Sequence, residues 1–179
     1  MKGIVFTEFL EMVESKFGYE VVDHIINESK LDSNGIYTSV GTYNHSEIVQ
    51  LLSNLSLKTK INAQDLLKAF GEYLFDTFLK SYPQFFDSQD NAFDFLHSID
   101  NHIHVEVLKL YPDANLPKFK TIEQSDGSLS MIYQSERKMG SLAEGLIERS
   151  IAHYKLPHSV HKELLEKEGA IVKFTIKPL

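Results

Sequence analysis

Tyr133, Ser135 and Arg137 stand at alternate positions in the stretch YQSER, so a phenol, a hydroxyl and a guanidinium recur with the period of a β-strand. On a strand such residues point to one side, about 6.6–6.8 Å apart, and arginine can take a carboxylate through two parallel hydrogen bonds. The row suits an anionic group; it also suits the solvent-facing side of a half-exposed strand. A second concentration of chemistry lies upstream, where HSIDNHIH holds His97, His102 and His104, three of the eight histidines. On a regular helix His97 and His104 share a face but lie ~10.5 Å apart, and His102 and His104 point roughly 200° apart. No two of them close on one small ion. Structural zinc also draws on cysteine, and the sequence has none. Haem iron makes a smaller demand, because its four equatorial nitrogens are already in place and the protein adds one axial imidazole. Its propionates ask for cationic and hydroxyl partners, which the row could supply.

The bulk properties narrow the field. A chain of 179 residues has length for one domain, here taken as 1–179, with a buried core and room for a cavity. A net charge of −7 argues against a nucleic-acid partner, whose phosphates are neutralised by Lys and Arg, and against an anionic membrane surface. The absence of cysteine excludes disulfides and thiolate chemistry and fits a reducing compartment. No run approaches the ~20 apolar residues needed to span a bilayer. The N-terminus MKGIVFTEFL has Glu8 too early for a secretory apolar region, and Gly3 is not at the myristoylation position. The expectation is a complete cytoplasmic chain.

The elements that must carry these residues follow from periodicity. Ile4, Phe6, Phe9, Leu10, Val13 and Phe17 predict a helix stopped by Gly18. Val21, Val22, Ile25 and Ile26 predict a short second helix, followed by the polar SKLDSNG (29–35) and a loop IYTSVGTYN (36–44). A third helix begins near Ser46. Asn62 caps a fourth, whose Leu66, Leu67, Phe70, Tyr73, Leu74, Phe78 and Leu79 share a face before Pro83. Residues 91–111 read as one helix ended by Pro112. The pattern then changes to FKTIEQ and LSMIYQSER, two strands around an Asp126-Gly127 turn. A helix over 140–155 and a strand AIVKFTIK (170–177) close the chain. Helices first and an antiparallel sheet later make an α+β fold.

HVEVLKLYP, in which His104 precedes Tyr111-Pro112 by seven residues, resembles the axial-histidine segment of the H-NOX domains. These are the haem nitric oxide/oxygen binding domains, related to the haem domain of soluble guanylate cyclase. Y-x-S-x-R, here Tyr133, Ser135 and Arg137, is similar to that family's haem-propionate motif, and the resemblance runs over essentially the whole chain. It implies haem b (iron protoporphyrin IX) buried between the helical part and the sheet. His104 would be the iron ligand, the three donors would hold the propionates, and Pro117 would pack against the porphyrin. Phe78 resembles a haem-packing aromatic. Where oxygen-binding members carry a distal tyrosine, an assisting polar residue and a tryptophan, this chain aligns Leu142, Leu74 and either Phe9 or Leu10. Each of these also fits plain helix-core packing. Lacking a distal donor, such a pocket would bind nitric oxide and carbon monoxide and discriminate against oxygen. Nitric oxide weakens the trans bond to an axial histidine, so the helix carrying His104 would be released as the signal. Stand-alone bacterial members serve a separate histidine kinase or cyclic-di-GMP enzyme.

Two other classes compete with this sensor. A haem-free adaptor could hold an anionic lipid head group on the same donor row. An enzyme is less well supported: no nucleophile–base pair or paired carboxylate set stands out, and GSLAEG (140–145) is not a phosphate loop. Its glycines read better as sites of close helix packing.

Overall fold

The computed structural model describes residues 1–166 and 169–179. Helix α1 (Gly3–Phe17) ends where Gly18 turns to φ +86° and its N–H reaches Glu14 O at 2.8 Å. Helix α2 (Tyr19–Asn27) follows, and α3 (His45–Thr59) starts at an Asn44 cap whose side chain accepts Ser46 N–H. The 36–44 loop folds over the start of α1: Gly3 N–H donates to Gly41 O at 2.8 Å, and Phe6 stacks on Tyr37 with ring centres 4.5 Å apart. Helix α4 (Ala63–Ser81) opens as the sequence predicts, with Asn62 accepting Gln64 N–H at 2.8 Å.

Two apolar cores result. The first gathers α1, α2, α3 and the N-terminal half of α4 around Phe6, Phe9, Leu51, Leu55 and Phe70. The second lies between helices and sheet and includes Phe75 of α4. Helix α8 (Gly140–His153) crosses α4 beside this division. The crossing needs glycine on both sides. A Cβ at Gly71 would meet Leu142 O at 2.2 Å, and one at Gly145 would meet Lys68 O at 2.0 Å. Close packing at Gly145 is what the sequence reading of GSLAEG expects.

The sheet runs β1-β2-β4-β3, antiparallel throughout. Strands β1 (Lys118–Glu123) and β2 (Leu129–Gln134) form the expected hairpin, closed by Gln124 N–H to Ser128 O at 2.8 Å, with Gly127 at φ +79°. In β2 the buried Leu129, Met131 and Tyr133 face buried Ile176, Phe174 and Val172 of β4 (Ile171–Pro178) across the register. Ala143, Ile147 and Ile151 of α8 and Phe95 complete that core.

Three features depart from the sequence expectation. The 91–111 segment is not one regular helix: α6 (Ala92–Ser98) passes through a π-helical turn at Ile99–Ile103 into α7 (His104–Leu110). A four-residue helix α5 (Gln84–Asp87) follows Pro83, where none was expected. A further strand, β3 (His158–Leu164), pairs with β4 at the sheet edge. Among the described residues no helix is long and apolar enough to cross a membrane.

The α4–α8 contact makes a direct prediction. Gly145→Ala drives a methyl into a backbone carbonyl, so it should lower stability by about 1–3 kcal/mol. Urea unfolding should show this as a lower midpoint with an unchanged slope.

Candidate functional site

His104 opens α7 directly after the π turn, a distortion that often marks functional positions. Its side chain is 17% exposed, and Nδ1 lies 3.5 Å from Oδ1 of Asp100. Burial lowers the pKa of His104 below the ordinary histidine value, outweighing the Asp100 carboxylate, which pulls it up. The ring is therefore neutral near pH 7. Nε2 has no hydrogen-bond partner among the described residues. His102, two positions earlier, is exposed, with its ring edge-on to Phe85 at 6.2 Å.

His97 is not an unpartnered surface histidine, which is how its place in the sequence reads. Its Nδ1 lies 2.6 Å from Thr121 Oγ1 and its Nε2 2.9 Å from Glu123 Oε1, tying α6 to β1. His153 packs among Phe75, Phe86 and Tyr154. His158 is likewise half-buried, against Phe93 at 5.3 Å.

The donor row needs a correction too. Strand β2 ends at Gln134, so only Tyr133 lies on it; Ser135 and Arg137 belong to the turn that leads into α8. Ser135 N–H still bonds Ala170 O at 2.9 Å, the next pair in the β2–β4 register, and the turn begins where Ser135 Oγ accepts Arg137 N–H at 3.2 Å. The alternation nevertheless continues through the turn, with Tyr133, Ser135 and Arg137 wholly or partly buried and Gln134, Glu136 and Lys138 exposed. Tyr133 Oη accepts Met139 N–H at 3.1 Å, which fastens the end of the sheet to the start of α8.

Arg137 carries the electrostatic signal. Burial lowers its pKa, yet a guanidinium stays charged at any physiological pH. No carboxylate pairs with it among the described residues. It lines a cavity of about 510 Å³ with Lys2, Thr42, Asp113, Lys118 and Ser135. A half-buried cation facing a cavity without a partner fits an incoming anion.

Phe119 bridges His104 and Tyr133. It pairs with Tyr133 across β1 and β2, and its ring centre lies 5.6 Å from that of Tyr133 and 5.9 Å from that of His104. Its N–H donates to Asp100 Oδ1 at 3.3 Å. Neither Phe119 nor Asp100 emerges from the sequence reading, although Asp100 stands four residues before His104, within side-chain reach on a helical segment.

The remaining positions divide between the cores. Leu74 is 3% exposed in the first core, with half-buried Leu142 and Leu10 packed on that core. Phe9 is fully buried against Phe70, edge to face at 5.2 Å. Phe78 packs against both cores and so marks the seam between them. Pro117 is half-buried one residue before β1.

This arrangement has counterparts. The Haem-NO-binding (HNOB) family model matches residues 2–162. The chain belongs to that family. The Fe(II) unliganded H-NOX protein from K. algicida is 46% identical over 99% of this chain and 96% of that one, with a TM-score of 0.94. The IWP-051-bound H-NOX from Shewanella woodyi, in the Fe(II)CO ligation state, is 37% identical over 100% and 95% of the chains, with a TM-score of 0.84. Among curated proteins, soluble guanylate cyclase gcy-35 of Caenorhabditis elegans is 24% identical over 145 residues, 76% of this chain. The chain spans only 20% of the length of that relative. Haem-NO-binding chains are haem-based gas-sensing domains, and the α+β architecture found here is theirs.

Tyr133→Phe should expose how the sheet is fastened to α8. Loss of the acceptor leaves the buried Met139 N–H unpaired, at a cost of about 1–3 kcal/mol. Amide exchange at Met139 should quicken while exchange in β4 stays slow.

Proposed function

We propose that this chain is a haem-based sensor that binds nitric oxide and carbon monoxide, discriminates against oxygen, and signals to a separate protein. The observation that carries the reading is His104: a mostly buried, neutral imidazole with Nδ1 turned to a carboxylate and Nε2 left free for a metal. Haem b would supply a ferrous iron able to bind a diatomic gas. His104 would give Nε2 to that iron. Arg137 and Ser135 at the cavity edge, with Tyr133 beside them, would hold the propionates, and a guanidinium without a carboxylate among the described residues supports the assignment. Pro117 and Phe78 would pack against the ring, one entering β1 and the other on the seam.

The distal side would be Leu142, Leu74 and the Phe9–Leu10 turn of α1, none of which donates a side-chain hydrogen bond. The core tyrosines nearby do not replace the missing donor. Tyr37 Oη donates to the buried Glu47 at 2.7 Å, and Tyr43 Oη takes Thr38 N–H at 2.8 Å. Bound oxygen carries partial negative charge and gains from a donor, whereas nitric oxide and carbon monoxide do not depend on one.

Release of α7 would carry the signal. Neither α7 nor the π turn has a fully buried side chain, so little apolar packing holds this helix against the sheet. A bond at His104 would then decide its position, and loss of that bond would free it towards a partner such as a histidine kinase or a cyclic-di-GMP enzyme. The cationic cavity alone favours a second reading, a haem-free module for an anionic head group. The two separate by colour: an intense Soret band from the purified protein supports the sensor, and a colourless preparation after haem supplementation supports the module.

His104→Gly should lose haem and regain it with imidazole, while His102→Gly should keep it; the reverse pattern would assign the iron to His102. The ferrous wild-type protein should form no stable oxygen complex, and a stable one would overturn the distal argument. Leu142→Tyr should slow oxygen dissociation about tenfold, as one hydrogen bond of about 1.5 kcal/mol implies.

A further inference from the structure

We infer that Asp100 is a positioning residue for His104, fixing which ring nitrogen is free and tying the imidazole to the sheet. The inference rests on His104 as the axial ligand and goes beyond it by naming what sets that ligand's tautomer and orientation. Asp100 lies in the π turn, four residues before His104, and its carboxylate faces the imidazole from the same side of the segment. One oxygen, Oδ1, does two jobs. It sits 3.5 Å from His104 Nδ1 and accepts Phe119 N–H at 3.3 Å.

A neutral imidazole carries its proton on one nitrogen and a lone pair on the other. A carboxylate is acceptor-only when ionised, so Asp100 draws the proton to Nδ1 and leaves the Nε2 lone pair outward. Without it the ring is free to protonate Nε2 and become a poor ligand. The same carboxylate leaves more electron density on the ring, and such outer partners raise a histidine's basicity toward its metal.

The second contact makes this local arrangement a coupling. Phe119 pairs with Tyr133 across the hairpin, and Tyr133 Oη holds Met139 N–H at the start of α8. Met139 in turn packs in the first core. His104, Asp100, Phe119, Tyr133 and Met139 thus form a continuous line from α7 through the sheet to the helix crossing. A shift of α7 reaches the first core along bonded neighbours.

Asp100 has a 41% exposed side chain, so substitution there removes little packing. Asp100→Asn keeps an oxygen for Phe119 N–H but loses the charge; Asp100→Ala loses both. The first measurement needs no haem. In the full chain labelled with ¹⁵N, the His104 ring should show a protonated Nδ1, and Asp100→Ala should shift the signal toward protonated Nε2. A wild-type ring protonated at Nε2, or an alanine variant that keeps the Nδ1 proton, would overturn the inference. In the haem-loaded ferrous protein, both variants should move the iron–histidine stretch to lower wavenumber in resonance Raman spectra, and haem affinity should fall about tenfold. Restoration of the wild-type stretch by asparagine would reduce Asp100 to a structural tie and overturn its action on the imidazole. Retention of haem by His104→Gly without imidazole would instead sink the axial assignment, and the ring-nitrogen measurement would stand apart from that result.

Discussion

The crossing of α4 and α8 is the constraint on which the other placements depend. Gly71 and Gly145 let one helix backbone approach the other to distances no Cβ would tolerate. Helix α4 therefore runs through both cores, giving Leu66, Leu67, Phe70 and Leu74 to the first and Phe75 to the second. Helix α8 begins beside the first core at Met139 and ends in the second at Ile151. With both helices locked, the seam marked by Phe78 and Leu146 has a fixed width and direction. Leu142 and Leu74 face the first core from two helices that cannot move independently. The turn carrying Ser135 and Arg137 is held between β2 and the same α8.

The site is built from groups that burial leaves in an unfavourable state. Arg137 keeps its charge in a half-buried position with no carboxylate paired to it among the described residues, although burial works against that charge. His104 gives up its charge for the same reason. The two responses differ because a guanidinium cannot release its proton at physiological pH and an imidazole can. One residue thus keeps a charge suited to an anion, and the other keeps a lone pair suited to a metal. Phe119 lies between His104 and Tyr133, its ring centre 5.9 and 5.6 Å from theirs.

Much of this was readable where the cause is local. Gly18, the Asn62 cap and the Asp126-Gly127 turn act on backbone within a few residues and appear where the sequence implies. The failures have tertiary causes. Residues 91–111 keep helical spacing throughout, and nothing in their order announces the wider π turn at Ile99–Ile103. Strand β3 was missed because its inward-facing positions include a histidine and a lysine. Lys162 is tolerated there because its amino group reaches Ser141 and Glu144 of α8. The partners of His97 lie 24 and 26 residues away on β1, beyond any short-range pattern. For the site, alternation exposed Tyr133, Ser135 and Arg137 as a set even though the strand beneath them stops early. The axial histidine came from a resemblance of motifs, since geometry on an ideal helix could not choose between His102 and His104.

The anchoring of α7 shows why a sensor could be built on this fold. A helix of seven residues with no fully buried side chain has little hydrophobic free energy to hold it in place. Its C-terminal end is followed by Asp113, which meets Lys2 and Thr42 at 3.3 and 2.8 Å, contacts made at the surface and open to competition from water and salt. Its N-terminal end is held by Asp100 through a carboxylate shared between His104 and the backbone of β1. Between these ends, His104 is the most buried titratable group. Any bond formed at Nε2 therefore acts on an element that is otherwise weakly held, and a modest change in that bond can shift the helix. The rest of the molecule responds differently. The cores, the glycine crossing and the β2–β4 ladder resist displacement, so motion begun at His104 passes inward only along Asp100, Phe119, Tyr133 and Met139.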